Sequence, residues 1–199
     1  MTPCIIVTAA GAGTRFHGAG HKLAARIGGE PVLALTLRHA LASGLRVMLV
    51  VSARLRDALG ADLPACGQVV VDTDAHPGWG MGDSIAAGVA ASPDASGWLV
   101  LPADMPFVRP GTLARVADGL AGPAVAYARH AGRRGHPVAF DASLKDALLA
   151  LRGDTGARAI VAASHGVAID VDDTGVLLDI DTLDDLEAAR RRFPFGVRS

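Results

Sequence analysis

The residues able to do chemistry sit where apolar runs stop. "WLVLPADMP", Trp98 to Pro106, reads as a buried strand that ends at a single acid, Asp104, between Pro102 and Pro106. Such a carboxylate is either a turn or helix-cap aspartate or a ligand for a hard cation at a sheet edge. "QVVVD" repeats the pattern and ends at Asp72. The cations sit in a glycine-rich stretch, "AAGAGTRFHGAGHK", which carries Arg15 and Lys22. Only Lys22 and Lys145 are lysine among 19 basic residues, so a compact ammonium in this loop points to a specific task. Glycines let a backbone approach a ligand closely and aim successive N–H groups at oxygens. Arg15 and Lys22 together suit a triphosphate; the alternative is a surface loop with scattered charges. His17 and His21 have i,i+4 spacing, but a glycine loop is not the helix that would turn them into a zinc pair.

These residues need strands to hold them. "CIIVTAA", "LRVMLVVS", "QVVVD", "GWLVLPAD" and "PAVAYAR" are short apolar runs bounded by turn residues. Helical spacing separates them in "PVLALTLRHALASG", "ARLRDALGADL", "DSIAAGVAAS" and "PGTLARVADGL". Alternation of strand and helix calls for a mainly parallel, twisted sheet with helices on both faces, a Rossmann-like three-layer α/β/α arrangement. The last third predicts a strand at "HPVAF", helices at "ASLKDALLALRG" and "TGARAIVAAS", strands at "GVAIDV" and "GVLLDI", and a closing helix at "DTLDDLEAARRRF". With no linker, repeat or low-complexity tract, residues 1–199 read as one domain. In open parallel sheets, ligands bind outside the carboxyl ends of the strands. The glycine loop, Asp72 and Asp104 meet on that edge if the strands form.

Composition narrows the field. Half of the chain is hydrophobic and only 4% aromatic, so the core is aliphatic. No apolar run approaches the roughly 18 residues of a membrane span. The start, "MTPCIIVTAAGAG", has no basic n-region, so no signal peptide and a cytoplasmic location are expected. A net charge of -1 with interspersed signs argues against nucleic acid as a partner. The two cysteines, Cys4 and Cys66, have no redox or metal spacing.

The first glycine loop fails both common phosphate fingerprints. Gly11 and Gly13 begin G-x-G-x-x-G, but Phe16 takes the third position. Lys22 follows His21 and precedes Leu23, so a P-loop is absent. Instead, "TAAGAGTRFHGAGHK" resembles the signature loop of the molybdenum cofactor nucleotidyltransferases, a family with the nucleotide-diphospho-sugar transferase-like fold. "WGMGDSIAAG" looks like their second loop and "LPADMP" like their metal-binding turn. "RRGHPVAF", "GDTGAR" and "LLDIDTLDDLEAA" are similar to their later segments. The likeness spans Ile5 to Ala189 in order and is closest to the cytidylyltransferase branch, because Ala10-Gly11 stands where the guanylyl branch usually has Gly-Gly. Thr8 replaces a usual Leu, His21 a usual Pro or Asp, and Phe16 a common Met.

The resemblance implies transfer of CMP from CTP to the terminal phosphate of the molybdopterin cofactor, with release of pyrophosphate. The nucleophile is already an oxyanion, so catalysis is positioning and charge neutralisation. It implies Mg²⁺ on Asp104 with a second ligand from Asp179 or Asp181. Those two would share a face if "GVLLDI" is a strand; an Asx turn and a cap on the last helix, with Thr182 as rival cap, is the other reading. The backbone of Ala9, Ala10, Gly11, Ala12 and Gly13 would contact the nucleotide, Arg15 and Lys22 its phosphates. Asp72 and the loop of Gly80, Met81, Gly82 and Ser84 would meet ribose or base. Arg134, Gly135, His136, Pro137 and Arg158 would face the phosphorylated pterin acceptor, and the product would pass through a transient contact with a molybdoenzyme. Other acceptors on the same fold (a sugar phosphate, methylerythritol phosphate or phospholactate), guanylyl transfer, and a non-catalytic cofactor chaperone remain alternatives.

Overall fold

Alternating apolar residues of β1 (Cys4–Ala9) feed two separate cores, and this divides the molecule into layers. Ile5, Val7 and Ala9 face one side of the sheet; Cys4 and Ile6 face the other. The structure is a computed structural model that describes residues 2–11 and 20–192. After β1 come a small antiparallel pair, β2 (Arg26–Ile27) and β3 (Glu30–Pro31), then α1 (Val32–Ala42), β4 (Arg46–Ser52), α2 (Ala53–Leu59) and β5 (Gly67–Val71). The chain continues through α3 (Met81–Ala90), β6 (Gly97–Pro102), α4 (Pro110–Asp118), β7 (Val125–His130) and β8 (Arg133–Asp141). It ends with α5 (Lys145–Leu149), α6 (Arg158–Ala163), β9 (Val167–Asp170) and α7 (Leu183–Arg192).

Seven strands form one sheet in the order β5-β4-β1-β6-β8-β7-β9. All pairings in it are parallel except those of β8 with β6 and β7. The layers carry α1, α2, α4 and α7 on one face and α3, α5 and α6 on the other, giving the mainly parallel α/β/α architecture that the alternating pattern predicts. From β1 the chain first builds outward through β4 and β5, then crosses to β6 on the other side of β1. The strand order therefore reverses between β1 and β6, and a crevice opens at their carboxyl ends.

Two sequence expectations change. "GVLLDI" is not a strand: Thr174–Leu177 is a 3-10 helix, and Leu178–Asp181 has no regular structure. The cause is close approach. A Cβ on Gly175 would stand 2.1 Å from the carbonyl oxygen of Phe107, so this segment lies directly against the backbone leading into α4 instead of entering the sheet. Second, "RRG" belongs to β8, which starts at Arg133.

Asp173 locks that arrangement. Only 3% exposed, its carboxylate accepts hydrogen bonds from the Arg109 N–H (2.9 Å), the Thr112 hydroxyl (2.7 Å) and the Gly175 N–H (2.9 Å). It supplies the N-terminal cap that Arg109 cannot give α4, whose first residue is Pro110. His39 on α1 reaches the same region and donates from Nδ1 to the Val108 carbonyl at 3.0 Å. Burial holds its imidazole below the ordinary 6.5, partly offset by that carbonyl.

Asp173→Ala would strand three donors, and we expect it to cost about 3 kcal/mol, read as a lower denaturant midpoint. His39 gives a pH signature. Below 6.5 the unfolded chain takes up a proton that folded His39 refuses, so its stabilisation is complete above 6.5 and is lost as pH falls through the lower folded-state value. The Tm should decline on acidification from pH 7, and less steeply in His39→Gln.

Candidate functional site

Three chain segments meet at the β1/β6 crevice. Pro102 ends β6, and a tight turn, Met105 N–H to the Pro102 carbonyl at 3.3 Å, throws Asp104 off the sheet edge. The Asp104 carbonyl accepts from the Ile180 N–H at 2.9 Å and so brings the segment before α7 alongside. Thr182 and Asp185 then close a reciprocal cap on α7: Asp185 accepts from the Thr182 N–H (2.8 Å) and hydroxyl (2.7 Å), while its own N–H donates to the Thr182 hydroxyl at 3.2 Å. Those Thr182 bonds, the hydroxyl first, hold the Asp185 carboxyl below its usual range. Because Thr182 caps the helix, Asp181 is left to turn into the crevice.

Lys22 completes the group. It begins a short 3-10 helix, Lys22–Ala24, capped by His21, whose Nδ1 accepts from the Leu23 N–H at 3.2 Å. That role leaves His21 Nε2 as the donor to the Gly11 carbonyl at 3.2 Å, so the imidazole ties the end of β1 to Lys22. Burial keeps His21 below its ordinary pKa, and the neighbouring Lys22 and Arg54 reinforce this against the Gly11 contact. Lys22 Nζ lies 2.6 Å from Asp104 Oδ2 and 2.6 Å from Asp181 Oδ1. The three side chains are 14%, 17% and 20% exposed. Burial alone would lower the ammonium pKa, but Asp104 and then Asp181 outweigh it, and the net shift is upward.

This cluster opens onto a cavity of about 1090 Å³. Its mouth carries Lys22, Asp104, Arg134 and Arg158; its floor is largely apolar, with Ile85, Val100, Val138, Phe140 and Val161. Three buried polar atoms along it have no hydrogen-bond partner among the described residues: Asp104 Oδ1, Thr8 Oγ1 and His136 Nδ1. Unpaired buried polar groups are costly and mark places where a ligand completes the bonding. Burial holds His136 below its ordinary pKa, opposed by the Val100 carbonyl and by Asp104.

The other sequence candidates divide. Ala9 and Gly11 line the cavity; Ala10 points into the core on the α3 side. Ala12, Gly13 and Arg15 lie outside the described residues. Asp72 is exposed away from the cavity, and its side chain closes an Asx turn with the Asp74 and Ala75 N–H groups at 3.1 and 3.3 Å. Gly80 and Met81 line the cavity, whereas Gly82 is seated on the backbone of Arg152. The Ser84 hydroxyl accepts from Trp79 Nε1 (2.9 Å) and donates to the Gly80 carbonyl (3.1 Å), so it braces the loop. Arg134 stacks on the Tyr127 ring, 4.4 Å from its centroid, beside Gly135 and His136 in the lining; Pro137 is buried behind them. Arg158 is exposed at the mouth, and Asp179 is exposed with no place in the Lys22 pair. Among the described residues, no three carboxylate, imidazole or thiol side chains form a ready metal group.

One well-placed residue escapes sequence reasoning. Asp83 Oδ2 accepts from the Gly80 N–H at 3.0 Å and from the Gly153 N–H at 2.8 Å. Its signal is local: an acid three residues after a helix-starting glycine is the reciprocal half of a capping box. Its link to Gly153 has no such signal.

Comparison with known proteins identifies a family and several similar structures. The family model for the MobA-like NTP transferase domain matches residues 5–168. The purine catabolism protein PucB of Bacillus subtilis (strain 168) is 30% identical over 203 residues, covering 96% of this chain and 98% of PucB. The bifunctional protein GlmU of Leifsonia xyli subsp. xyli is 42% identical over 115 residues, 55% of this chain, yet that stretch is only 23% of GlmU. Rv0371c from Mycobacterium tuberculosis H37Rv has a solved structure that matches with a TM-score of 0.82 at 28% identity, covering 96% of this chain and 100% of that one. The same protein has also been solved in complex with manganese.

Proposed function

The chain belongs to the MobA-like NTP transferase family and is a nucleotidyltransferase; from that premise we propose that it transfers CMP from CTP to the terminal phosphate of the molybdopterin cofactor. The observation that carries the transfer chemistry is the Lys22 ammonium shared by Asp104 and Asp181 at the mouth of a cavity large enough for two ligands. The triphosphate lies against Gly11 and draws Lys22 toward its oxygens. An acceptor phosphate oxygen attacks the α-phosphorus, the α–β bridging P–O bond breaks, and pyrophosphate leaves with the bonding electrons. No proton need be removed from the nucleophile, so the site's task is alignment and charge neutralisation.

Asp104 and Asp181 would hold Mg²⁺. The fit rests on the donor set: both are hard oxygen donors, and Asp104 Oδ1 is buried with no hydrogen-bond partner among the described residues. Magnesium commonly takes only one or two carboxylates and completes its shell with water and substrate phosphates, so a preformed three-residue group is not required. When bound, the ion would neutralise triphosphate charge. The manganese complex of Rv0371c supports a divalent ion.

Two features support a phosphorylated pterin as acceptor. The cavity has cationic Arg134 and Arg158 at its mouth and an apolar floor that includes Phe140. A flat heterocycle with a phosphate tail can lay an apolar ring face on that floor, which a sugar phosphate, with hydroxyls around its whole ring, cannot do as well. The full-length relative is also named for purine catabolism and not for sugar nucleotide synthesis. The choice of cytidine rests on the Ala10-Gly11 resemblance.

Calorimetric titration with CTP, GTP, UTP and ATP, with and without Mg²⁺, tests the reading, followed by pyrophosphate release with molybdopterin. We expect CTP to bind most tightly and only with Mg²⁺, and Asp104→Ala to weaken it at least about tenfold, or about 1.4 kcal/mol. A GTP preference would move the protein to guanylyl transfer; no triphosphate binding would sink the proposal. Lys22→Met separates the two cations. Removing the ammonium should raise Mn²⁺ affinity of the nucleotide-free protein about tenfold by electron paramagnetic resonance, while CTP affinity falls by a similar factor.

A further inference from the structure

The cavity has two facing walls drawn from distant parts of the chain. Trp79, Gly80, Met81 and Ser84, at the start of α3, form one; Asp154 through Arg158, leading into α6, form the other. They meet partly backbone on backbone, beside the Met81 side chain, which lies against Gly156. A Cβ on Gly80 would stand 2.3 Å from the carbonyl carbon of Gly153 and 2.5 Å from the Asp154 nitrogen. One on Gly82 would stand 2.9 Å from both the nitrogen and the oxygen of Arg152. Backbone therefore rests on backbone at Gly80 and Gly82.

Ile85 and Val161 share an apolar cluster that joins α3 and α6; the polar groups of the seam need a partner of their own. Among the described residues, no backbone–backbone hydrogen bond crosses between Trp79–Ser84 and Arg152–Arg158. Asp83 does cross. One carboxylate oxygen, Oδ2, takes the Gly80 N–H at 3.0 Å and the Gly153 N–H at 2.8 Å. The acid lies in the first turn of α3, where a negative charge is also favoured by the helix dipole. Gly153 and Gly156 both have left-handed φ, +56° and +55°, so the second wall bends sharply on either side of Asp154 and Thr155. Two glycine bends add to the entropy lost when this loop orders, so an anchor at Gly153 restrains its start as the packing of Val161 in α6 restrains its end.

We propose that Asp83 is a positioning residue: by clamping Gly153 to Gly80 it sets the wall that presents Arg158 to the acceptor phosphate. The presentation of Arg158 to an acceptor rests on the function proposed above; the clamp itself does not. Asp83 touches no reacting atom. It acts by reducing the freedom of the Gly153–Arg158 segment, so its loss weakens acceptor capture more than it slows the chemical step.

Hydrogen exchange of the ligand-free protein tests the clamp, with Asp83→Ala and Asp83→Asn beside the wild type. Asp83→Ala should speed exchange across 153–158 about tenfold or more while the β1, β4 and β6 amides keep their protection. Asp83→Asn retains a carbonyl oxygen able to accept both bonds and should restore exchange to within about threefold. In turnover with CTP and molybdopterin, Asp83→Ala should raise the acceptor KM about tenfold, with kcat and the CTP KM changed less than about threefold. Unchanged exchange at 153–158 in Asp83→Ala would overturn the clamp. A CTP KM that rises as far as the acceptor KM, or an asparagine variant as impaired as the alanine one, would overturn the positioning role. A wild-type protein that releases no pyrophosphate would fail the proposed function instead, and the exchange result would still decide on the clamp.

Discussion

One ammonium held 2.6 Å from each of two carboxylates is the interaction around which the molecule is organised. Lys22 is 82 residues from Asp104 and 159 from Asp181, so the cluster exists only when the centre of the sheet, the turn after β6 and the approach to α7 are all in place. Partly buried ion pairs like these contribute little net stability, because desolvation consumes much of their attraction. Their value lies elsewhere. Two acids that tolerate one cation between them form a place where another cation could sit, and an ammonium on a flexible stem can leave when a polyphosphate offers more oxygens.

The surrounding structure protects that arrangement by satisfying its backbone locally. Thr182 caps α7 and frees Asp181 for Lys22. Asp173 caps α4 from the neighbouring segment and holds Gly175 against Phe107, which fixes the path toward Asp181. His21 spans Gly11 and Leu23 and sets where Lys22 begins. In each case a side chain satisfies backbone donors or acceptors that would otherwise be stranded.

Much of this is legible in the sequence for a simple reason. Buried parallel strands are short apolar runs, and the residues just after each run lie on one edge of the sheet. That logic points to Asp104, and the rarity of lysine in a glycine-rich loop points to Lys22. The strand-end logic also picks out Asp72, which the structure places in an exposed Asx turn, because a strand end alone does not say whether an acid turns inward. "GVLLDI" reads as a strand because three consecutive aliphatic residues fit a buried strand and a buried irregular segment equally well. The deciding contact, Gly175 under the Phe107 carbonyl, is long-range. The antiparallel direction of β8 and the partnership of Asp83 with Gly153 are hidden for the same reason. Local pattern names an element; only tertiary packing says which way it runs and what its polar atoms meet.

The cavity separates two kinds of recognition onto different elements. Charge is handled at the mouth, by the turn after β6, the residues before α7 and the start of the first 3-10 helix. The floor is handled by α3, β8 and α6, through Ile85, Val138, Phe140 and Val161. Substitutions in the floor change the shape offered to a ring without touching Lys22, Asp104 or Asp181. Phosphoryl chemistry of this kind asks little of the protein beyond fixed charges. In the proposed reading the same mouth can serve different acceptors as the floor is rebuilt, so the acceptor has to be argued from the floor and walls of the cavity and not from the Lys22 cluster.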